Sequence, residues 1–516
     1  MLSFDNSFFA ESIEYGFPVS KKMKRVRAAN LEVLQVIDEV CMRNGIEYFA
    51  DYGTLLGVVR HQGFIPWDDD VDIAMRRRDF NEFFNLPDSE FPEGFVRIGK
   101  GYPMQPMGAV LNTSQVNFSP EHLEKYHGCP YIVGTDVFPL DDVPDDEELR
   151  KNYTYMYNMF YDAAKRFDEI NEKEGIELYL PVLEELGGFT FDRASDLKEQ
   201  LWTKTRQIAE LFKGERGEYI SYLPDLIGGA GERVLRKRSY YDNVLRLPFE
   251  NITLPVPQDF DAVLRLRFGD NYMMPQRGGA AHDYPMYKKQ DEWIMAQRRA
   301  QGIGEEVKIK ASPQIYNPAF LLDEPKADDE NDLAYYREMV LSDEVLNAKR
   351  LVLQSENMKQ PFINILTKET DVPAKEWSAK IEVKPGPYGE KRQESSEKKI
   401  IAYEIMPGSF LAYEKEIIAK IRNTLKIFEE NKDDIVLRWV IHPGQEELRA
   451  YIDETVFAEY EKILKECEKK DWIIIDKDTD GEKLAKECDA FYGDMCDEIY
   501  MFKLYKKPIM IQDCRI

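Results

Sequence analysis

The sequence predicts an α/β protein with a mixed sheet in its N-terminal part and a parallel sheet in its C-terminal part. Two observations support this fold class. Up to about residue 268, apolar residues recur at helical spacing in several segments, and short strand-like runs separate them irregularly. From residue 400 onward, short apolar strands alternate regularly with helices, which is typical of a parallel sheet with helices on both faces.

The N-terminal elements follow from these patterns. Residues 21–44 form a predicted helix, because Ser20 can cap it and Met23, Val26, Leu34, Ile37 and Cys41 recur at helical spacing. Further helices are predicted at 55–60, 78–84, 145–174, 196–212 and 259–268. Extended segments are predicted at 47–52, 71–75, 95–98, 108–111, 132–138 and 234–256, the last broken by Pro248 and Pro255.

The C-terminal elements predict a second domain. Strands are expected at 401–406, 435–441, 472–475 and 508–512, with helices at 414–431 and 453–469 among them. Polar stretches at 323–332 and 384–399 indicate a linker that leads into this domain. We therefore predict a catalytic domain at 1–302, a linker with a helical or irregular region at 303–399, and a Rossmann-like α/β domain at 400–516.

Bulk composition restricts the class of function. The 516-residue chain carries a formal net charge of -26, which repels polyphosphate and argues against a nucleic-acid partner. Its six cysteines form no C-x-x-C pair, which favours reduced thiols. The sequence shows no apolar signal core and no membrane-spanning run, so a cytoplasmic protein is expected.

The run Asp68-Asp69-Asp70-Val71-Asp72 is the most informative feature. On a strand, Asp70 and Asp72 would share one face, with Asp68 approaching it and Val71 and Ile73 directed into the core. Carboxylates packed together repel one another unless a cation holds them, and Mg2+ prefers such oxygen ligands. The alternative is a solvated acidic turn after Pro66.

Two further features favour a metal site. Gly53-Thr54 begins a predicted helix whose first N–H groups can receive a phosphate, and Asp136 lies in a separate apolar-flanked strand. A Gly-Thr pair, an Asp-x-Asp pair and a lone Asp on a neighbouring strand form the pattern of the nucleotidyltransferase fold. The pattern predicts Asp70, Asp72 and Asp136 as catalytic residues and ligands of Mg2+ or Mn2+.

A longer motif resembles a known family. The stretch 51–73, DYGTLLGVVRHQGFIPWDDDVDI, looks like the core motif of the LicD phosphotransferases, and Phe138-Pro-Leu-Asp141 resembles the family's second block. The family's closing block resembles Phe249-Glu-Asn, Pro255-Val-Pro257 and Phe268-Gly-Asp-Asn-Tyr-Met. The resemblance covers roughly residues 20–290. It implies transfer of a phosphoalcohol, such as phosphocholine or a polyol phosphate, from a CDP-linked donor to a glycan or lipid-linked glycan.

Other residues near the motif are candidates for substrate binding, each with a structural alternative. Gly53 and Thr54 could meet a donor phosphate, or Thr54 could cap the helix; Arg60 could neutralise phosphate, or form a surface ion pair. Asp68 would line the same pocket. Trp67 could form a wall of the pocket or belong to the core, and His61 and His282 could lie in the site or in solvated loops. One residue of Arg76 to Arg78 could reach the donor, or the run could be a solvated face. Asp141 could be a fourth acid of the pocket or a turn residue, and Arg233 to Arg238 are expected at the surface.

The C-terminal region has its own resemblance. Leu425-Lys-Ile-Phe428, Arg438-Trp-Val-Ile-His-Pro443, Asp489-Ala-Phe-Tyr-Gly-Asp494 and Lys507-Pro-Ile-Met-Ile-Gln512 resemble the C-terminal half of CDP-glycerol glycerophosphotransferase-like proteins. Val440 stands where those proteins tend to carry Arg, and Cys496-Asp497 replaces a Ser-Ser pair. The region therefore predicts a ligand-binding or interaction domain, with His442 and Asp494 as pocket candidates.

Three functions remain open at the level of the sequence. The leading one is phosphoalcohol transfer with release of CMP. The same acids could instead serve nucleotidyl transfer from an NTP with release of pyrophosphate. The third is a non-catalytic scaffold that binds nucleotide in glycan assembly, against which the intact Asp70, Asp72 and Asp136 argue in the N-terminal domain.

Overall fold

The structure is a computed structural model that describes residues 1–99, 106–173, 175–228, 231–276, 284–300, 315–316, 330–384, 398–442, 444–477 and 480–512. The chain divides into two compact units. Unit 1 comprises Met1–Phe4, Arg25–Ile65 and Asp70–Tyr272, and unit 2 comprises Asp5–Lys24, Pro66–Asp69 and Met273–Ile516. The domain boundaries predicted at residues 302 and 399 stay predictions.

The helices follow the predicted order and add several that the sequence analysis missed. They are α1 (Lys21–Asn44), α2 (Tyr52–His61), α3 (Arg77–Asn85), α4 (Pro120–Lys125), α5 (Glu147–Lys165), α6 (Phe167–Lys173), α7 (Leu180–Gly187), α8 (Leu197–Ala209), α9 (Leu223–Ile227), α10 (Phe260–Phe268), α11 (Lys288–Ala300), α12 (Glu330–Val340), α13 (Asp343–Leu346), α14 (Glu356–Glu369), α15 (Ala374–Lys380), α16 (Pro407–Glu430), α17 (Gly444–Glu447), α18 (Glu454–Cys467), α19 (Gly481–Glu487) and α20 (Glu498–Leu504). No helix in the described part of the chain combines the length and the apolar character needed to cross a membrane.

Most strands are short, and the longest of those described, Gly134–Val143, has ten residues. They are β1 (Ser12–Glu14), β2 (Phe17–Val19), β3 (Phe49–Ala50), β4 (Asp72–Arg76), β5 (Val96–Ile98), β6 (Gly108–Leu111), β7 (Gly134–Val143), β8 (Tyr219–Ser221), β9 (Arg236–Lys237), β10 (Val244–Phe249), β11 (Ile252–Pro257), β12 (Ile315–Tyr316), β13 (Arg350–Leu353), β14 (Ile381–Val383), β15 (Lys399–Glu404), β16 (Ile435–Val440), β17 (Ile473–Asp476), β18 (Ala490–Gly493) and β19 (Ile509–Ile511).

The main sheet of unit 1 is mixed, as predicted. Its strand order is β3-β4-β7-β6-β5, and β8 pairs with β7 while β9 pairs with β8. Strands β4 and β7 run parallel, whereas the other pairs in this sheet are antiparallel. A separate antiparallel hairpin joins β10 to β11, within the segment predicted to be extended. The single parallel pair, β4 and β7, lies at the centre of the sheet.

Helix α2 shows how the N-terminal motif folds locally. The helix begins three residues earlier than predicted, because Asp51 is the N-cap and its Oδ1 accepts a 2.9 Å hydrogen bond from Tyr52 N. Capping by Thr54 is therefore wrong. Gly57 lies against the following turn, where an added Cβ would come within 2.5 Å of Gly63 O. Glycine at this position permits the close packing of the helix on the loop that follows it.

A helical layer of unit 1 forms its own apolar core. Helices α5, α7, α8 and α9 bury Tyr153, Phe160, Leu183, Leu201 and Leu223 together. The predicted helix at 145–174 is divided into α5 and α6 between Lys165 and Phe167. Because α8 and α9 flank β8, this layer fixes the segment that pairs with the end of β7.

Unit 2 contains the predicted parallel sheet. Its order is β17-β16-β15-β18-β19, and all four strand pairs are parallel. Strand β18 was not predicted, because its sequence Ala490-Phe-Tyr-Gly lacks the isoleucine runs that mark β17 and β19. A second parallel sheet of order β12-β13-β14 lies in the stretch predicted to be linker and helical or irregular region, so that stretch also carries regular strands.

Candidate functional site

The central strand pair of unit 1 brings two predicted acids together. Asp72 on β4 is the register partner of Asp136 on β7, and Asp136 N donates a 2.8 Å hydrogen bond to Val71 O. Both aspartates are half-buried, while the adjacent Ile73 and Val137 are fully buried on the opposite face. Side chains alternate between faces along a strand, so the two carboxylates belong to the same, more open face.

Asp70 does not lie on the strand that carries Asp72, where the sequence predicted it. Strand β4 begins at Asp72, so Asp70 precedes the strand, and the prediction that Asp70 and Asp72 share one strand is wrong. The carboxylates of the consecutive residues Asp68, Asp69 and Asp70 instead have oxygens within 4.8 Å of one another, an arrangement that could hold a metal ion. Asp69 is buried, and its Oδ2 accepts a 2.6 Å hydrogen bond from Met286 N.

The start of helix α2 is bonded directly to Asp72. Thr54 Oγ1 accepts a 2.9 Å hydrogen bond from Asp72 N, and Asp51 N donates a 3.1 Å hydrogen bond to Asp72 O. Both backbone polar groups of Asp72 are thus satisfied by α2 and its cap. Gly53 lies between these two contacts and is half-buried. The structure therefore brings Gly53 and Thr54 beside the acid strand, as the motif predicted.

A buried ion pair supports this junction. Arg236 Nη1 lies 2.6 Å from Asp51 Oδ2 and also donates a 2.9 Å hydrogen bond to the Tyr241 hydroxyl. Both charged side chains are almost fully buried. Burial opposes the charged form of Arg236, but the Asp51 carboxylate outweighs it and holds the pKa of Arg236 well above its ordinary value. The expectation that Arg233 to Arg238 is a surface run is therefore wrong for Arg236.

Two other predicted roles are also corrected. Asp141 is neither a pocket acid nor a turn residue: it lies within β7 and forms a buried bidentate pair with Arg77, at 2.6 and 3.0 Å. Arg76 donates to Tyr241 O and lies 3.3 Å from Glu47. Of the run Arg76 to Arg78, only Arg78 is exposed, so the run is not a solvated face. The buried pair of Arg77 with Asp141 joins α3 to β7 instead.

The remaining substrate-binding candidates have defined surroundings. Arg60 is only 6% exposed and donates from Nη1 to Tyr272 O at 2.7 Å and from Nε to His61 Nε2 at 2.9 Å. Trp67 packs edge-on against Phe17, with ring centroids 6.1 Å apart. His282 lies outside the described residues. Contacts of Arg60, Trp67, Asp68 and His282 with substrate stay predictions.

An aromatic wall with one arginine was missed by the sequence analysis. Phe138 follows Asp136 by two residues on β7, and its ring lies 4.8 Å from Tyr52 and 5.0 Å from Tyr222. Asp225 accepts hydrogen bonds from the Tyr52 hydroxyl at 2.6 Å and from Arg267 at 3.0 Å. Tyr52 lies within the 51–73 motif and Arg267 directly precedes the block that begins at Phe268, and these positions were the available signal.

The C-terminal candidates lie at the carboxyl ends of strands in unit 2. Asp494 is buried and accepts 2.8 and 2.7 Å hydrogen bonds from Met406 N and Gln512 Nε2. His442 Nδ1 accepts a 3.1 Å bond from Gly444 N, and burial lowers the pKa of His442. These contacts give both residues structural roles, and their roles in a pocket stay predictions.

A second cluster of possible metal ligands occurs in the same unit. Ligand atoms of Glu404, Cys496 and Glu498 lie within 4.8 Å of one another. Burial, followed by the charge of Glu498, raises the pKa of Glu404 well above its ordinary value. Burial likewise raises the pKa of the Cys496 thiol. These directions favour protonated, mutually hydrogen-bonded groups, and the sulfur of Cys496 lies 3.5 Å from Glu404 Oε2.

Comparison with known proteins identifies the motif-bearing segment. Residues 45–144 match the family described as "LicD/FKTN/FKRP, nucleotidyltransferase domain". The chain is 24% identical over 254 residues to "Lipopolysaccharide cholinephosphotransferase LicD" of Haemophilus influenzae, which covers 48% of this chain and 89% of that protein.

Two further similarities are a short match to a protein of Rickettsia typhi and a match to a solved structure. An uncharacterized protein of Rickettsia typhi is 41% identical over 64 residues, which covers 11% of this chain and 21% of that protein. A solved structure described as "S. aureus MnaA-UDP co-structure" aligns with 12% identity and a TM-score of 0.20, over 49% of this chain and 68% of that one.

The family match spans both the Asp72 strand and the Asp136 strand. Residues 45–144 of this chain therefore form a LicD-family nucleotidyltransferase domain.

Proposed function

We propose that the chain transfers a phosphoalcohol, either phosphocholine or a polyol phosphate, from a CDP-linked donor to a glycan or its lipid-linked precursor. The observation that carries the proposal is the pairing of Asp72 with Asp136 beside the start of α2, inside the segment that matches the LicD family. The similarity to a lipopolysaccharide cholinephosphotransferase supports a transferase and makes phosphocholine the first candidate for the transferred group.

The donor set suits a hard divalent cation. Asp72 and Asp136 present carboxylate oxygens on one sheet face, and Asp68 to Asp70 gather three more carboxylates just before Asp72 in the sequence. Oxygen ligands of this kind are preferred by Mg2+ and Mn2+. Asp70, Asp72 and Asp136 are the proposed ligands, and the bound cation would neutralise charge on the donor diphosphate and the developing charge in transfer.

The proposed reaction requires positioning more than covalent chemistry. An acceptor hydroxyl oxygen forms a bond to the phosphorus that carries the alcohol, while the bond from that phosphorus to the bridging oxygen breaks and CMP leaves with that oxygen. The hydroxyl proton must be removed, and Asp136 is the proposed acceptor when it does not serve solely as a ligand. Thr54, Gly53 and Arg60 are proposed to contact the donor phosphates.

Nucleotidyl transfer is the second candidate, because the matching family is described as a nucleotidyltransferase domain. The same carboxylates would serve an NTP donor, and pyrophosphate would leave instead of CMP. Product identity distinguishes the two reactions without any assumption about the acceptor.

The test is an assay of released product with Mg2+ and a cell-surface glycan preparation. CDP-choline, CDP-ribitol, CDP-glycerol and CTP are supplied in turn. Release of CMP together with phosphoalcohol bound to glycan is expected from one of the CDP-alcohols. Release of pyrophosphate from CTP alone would replace this proposal with nucleotidyl transfer. Glu82→Gln, an exposed acid on α3, is the matched control for variants of the site acids.

A further inference from the structure

The Tyr52–Phe138 contact places one aromatic wall on the acid-bearing sheet face of unit 1. Phe138 and Asp136 point to the same face, because they are two residues apart on β7. Tyr52 is the first residue of α2, directly after the Asp51 cap that is bonded to Asp72. The ring of Tyr52 therefore stands at the edge of the region in which the donor is proposed to bind.

Tyr52 is held in this place by several contacts. Its backbone has a φ of 44°, a left-handed conformation that costs a non-glycine residue roughly 1–3 kcal/mol. Its amide donates to Asp51 and its hydroxyl donates to Asp225, at 2.9 and 2.6 Å. Burial raises the pKa of the Tyr52 hydroxyl, so it remains a donor to Asp225.

Arg267 rests on this wall. Its guanidinium carbon lies 4.5 Å from the centroid of the Tyr52 ring, and its Nη1 lies 3.0 Å from the same Asp225 carboxylate that Tyr52 contacts. Stacking and a charge-assisted bond together orient the planar group. The side chain is nevertheless 35% exposed. A guanidinium carries five N–H donors, so the one bond to Asp225 leaves capacity for an anionic ligand.

Three other arginines of unit 1, namely Arg236, Arg77 and Arg60, are buried and bonded to buried partners. Arg236 is buried against Asp51, Arg77 is buried against Asp141, and Arg60 is 6% exposed with bonds to Tyr272 O and His61. For Arg236 and Arg77, replacing the ion pair with a phosphate would leave a buried carboxylate unsatisfied, and Arg60 can meet a phosphate only alongside its bonds to Tyr272 O and His61. Arg267 can meet an anion without such a loss, because it is oriented from one side and open on another.

We propose that Arg267 binds the diphosphate of the donor, and that Tyr52 and Asp225 orient its guanidinium for this contact. This inference rests on the proposed function, since it assigns a residue to the same donor. It also changes the expected hierarchy of basic residues: Arg267 contributes more to donor affinity than Arg60, which was the candidate from the sequence. Arg is suited to the role because its planar fork matches two phosphate oxygens.

Calorimetry with Mg2+ tests the assignment on the full chain. The probes are CDP-choline, CDP-ribitol and CDP-glycerol, followed by CDP and cytidine, which differ in whether a diphosphate is present. Arg267→Ala should weaken binding of the CDP-alcohol and of CDP about 10- to 100-fold, with little effect on cytidine. Arg267→Lys should recover part of the loss, because it restores charge without the fork.

Arg265→Ala is the matched control, since Arg265 lies on the same helix and pairs with Asp261 and Asp270. It should bind CDP within about 2-fold of the unmodified protein. If Arg267→Ala binds CDP as tightly as the unmodified protein does, or loses cytidine and CDP equally, the assignment of Arg267 is overturned while the proposed function stands. If the unmodified protein binds none of the CDP-alcohols with Mg2+, the proposed function fails and the assignment fails with it.

Discussion

Both units of the chain place carboxylates close together, but they bury them to different degrees. In unit 1, Asp72 and Asp136 are half-buried partners on a sheet face. In unit 2, Glu404 is 1% exposed at the end of β15 and lies against Cys496. A carboxylate that remains in contact with solvent can stay ionised and receive a cation, whereas a deeply buried one without a cationic partner holds its proton. Acid density alone therefore does not identify a metal site.

Substitution of the half-buried acids of the proposed metal site is expected to have the largest effect. Asp70→Asn, Asp72→Asn and Asp136→Asn should each reduce turnover by at least about 1000-fold, because each removes a charge that is proposed to bind the metal. The melting temperature should change little, since the side chains are half-buried and not part of the apolar core. Turnover measured with the identified donor gives the result, with Glu82→Gln as the control. Full activity in the Asp72 and Asp136 variants would end the argument for this site.

Removal of the divalent metal is expected to have the next largest effect, on binding of the donor. The donor diphosphate approaches a chain of net charge -26, and several carboxylates stand at the proposed site. Without a divalent cation the charges repel, so EDTA should abolish measurable heat of binding for the CDP-alcohol, and added Mg2+ or Mn2+ should restore it. Equal affinity with and without metal would remove the acids from the donor site.

In unit 2, the buried carboxylate of Asp494 is expected to contribute to the free energy of unfolding. Asp494 accepts hydrogen bonds from Met406 N and Gln512 Nε2, and its removal leaves a partly buried and a buried donor without this acceptor. Asp494→Ala should lower the free energy of unfolding by about 2–4 kcal/mol. Asp453→Ala, which removes the exposed cap of α18, should cost about 1 kcal/mol in the same urea titration. Equal losses in the two variants would show that burial does not distinguish them.

The last expected effect is a change in pH dependence, which is small over any single pH unit. Because burial raises the pKa of Glu404 in the folded state, the unfolded chain releases this proton first as pH rises above the ordinary glutamate range. Folding stability then falls by up to about 1.4 kcal/mol per pH unit until the raised folded pKa is passed. Glu404→Gln should remove this contribution and flatten the profile above the ordinary glutamate range.

Denaturant unfolding at several pH values measures that profile. The control is Glu416→Gln, an exposed acid on α16, which should keep the slope of the unmodified protein. A Glu404→Gln profile parallel to that of the unmodified protein would mean that Glu404 is ionised in the folded state. The contrast between the two acid clusters would then need another explanation.

Local signals in the sequence predicted much of the fold. Helix α1 has the predicted ends because Ser20 caps it and its apolar spacing is regular. The mixed sheet of unit 1 and the five-stranded parallel sheet of unit 2 also agree with the predicted fold class. Strand β18 and the sheet formed by β12 to β14 were missed, whereas the equally short β17 and β19 were predicted from their isoleucine runs.

The site was predicted less completely, for physical reasons. The motif placed Gly53, Thr54 and Asp72 together, and the structure agrees. The buried roles of Arg77 and Arg236 were missed, since charged residues are usually exposed and only tertiary pairing with Asp141 and Asp51 reverses that preference. Arg267 was missed because its neighbours Tyr52 and Asp225 are remote in sequence.

The two hydrogen bonds between α2 and Asp72 have a consequence for how the motif tolerates change in length. They join Asp51 and Thr54 to Asp72, so the chain from the helix to the strand is a closed loop with both ends fixed. An inserted or deleted residue within it cannot be absorbed by sliding β4, because a shift of one residue would turn Asp72 to the other face of the sheet. Gly57 and Gly63 pack closely inside the same loop and leave little room for a bulge. Length variation should therefore accumulate outside residues 51–72, and a single-residue insertion between them should be more damaging than most substitutions there.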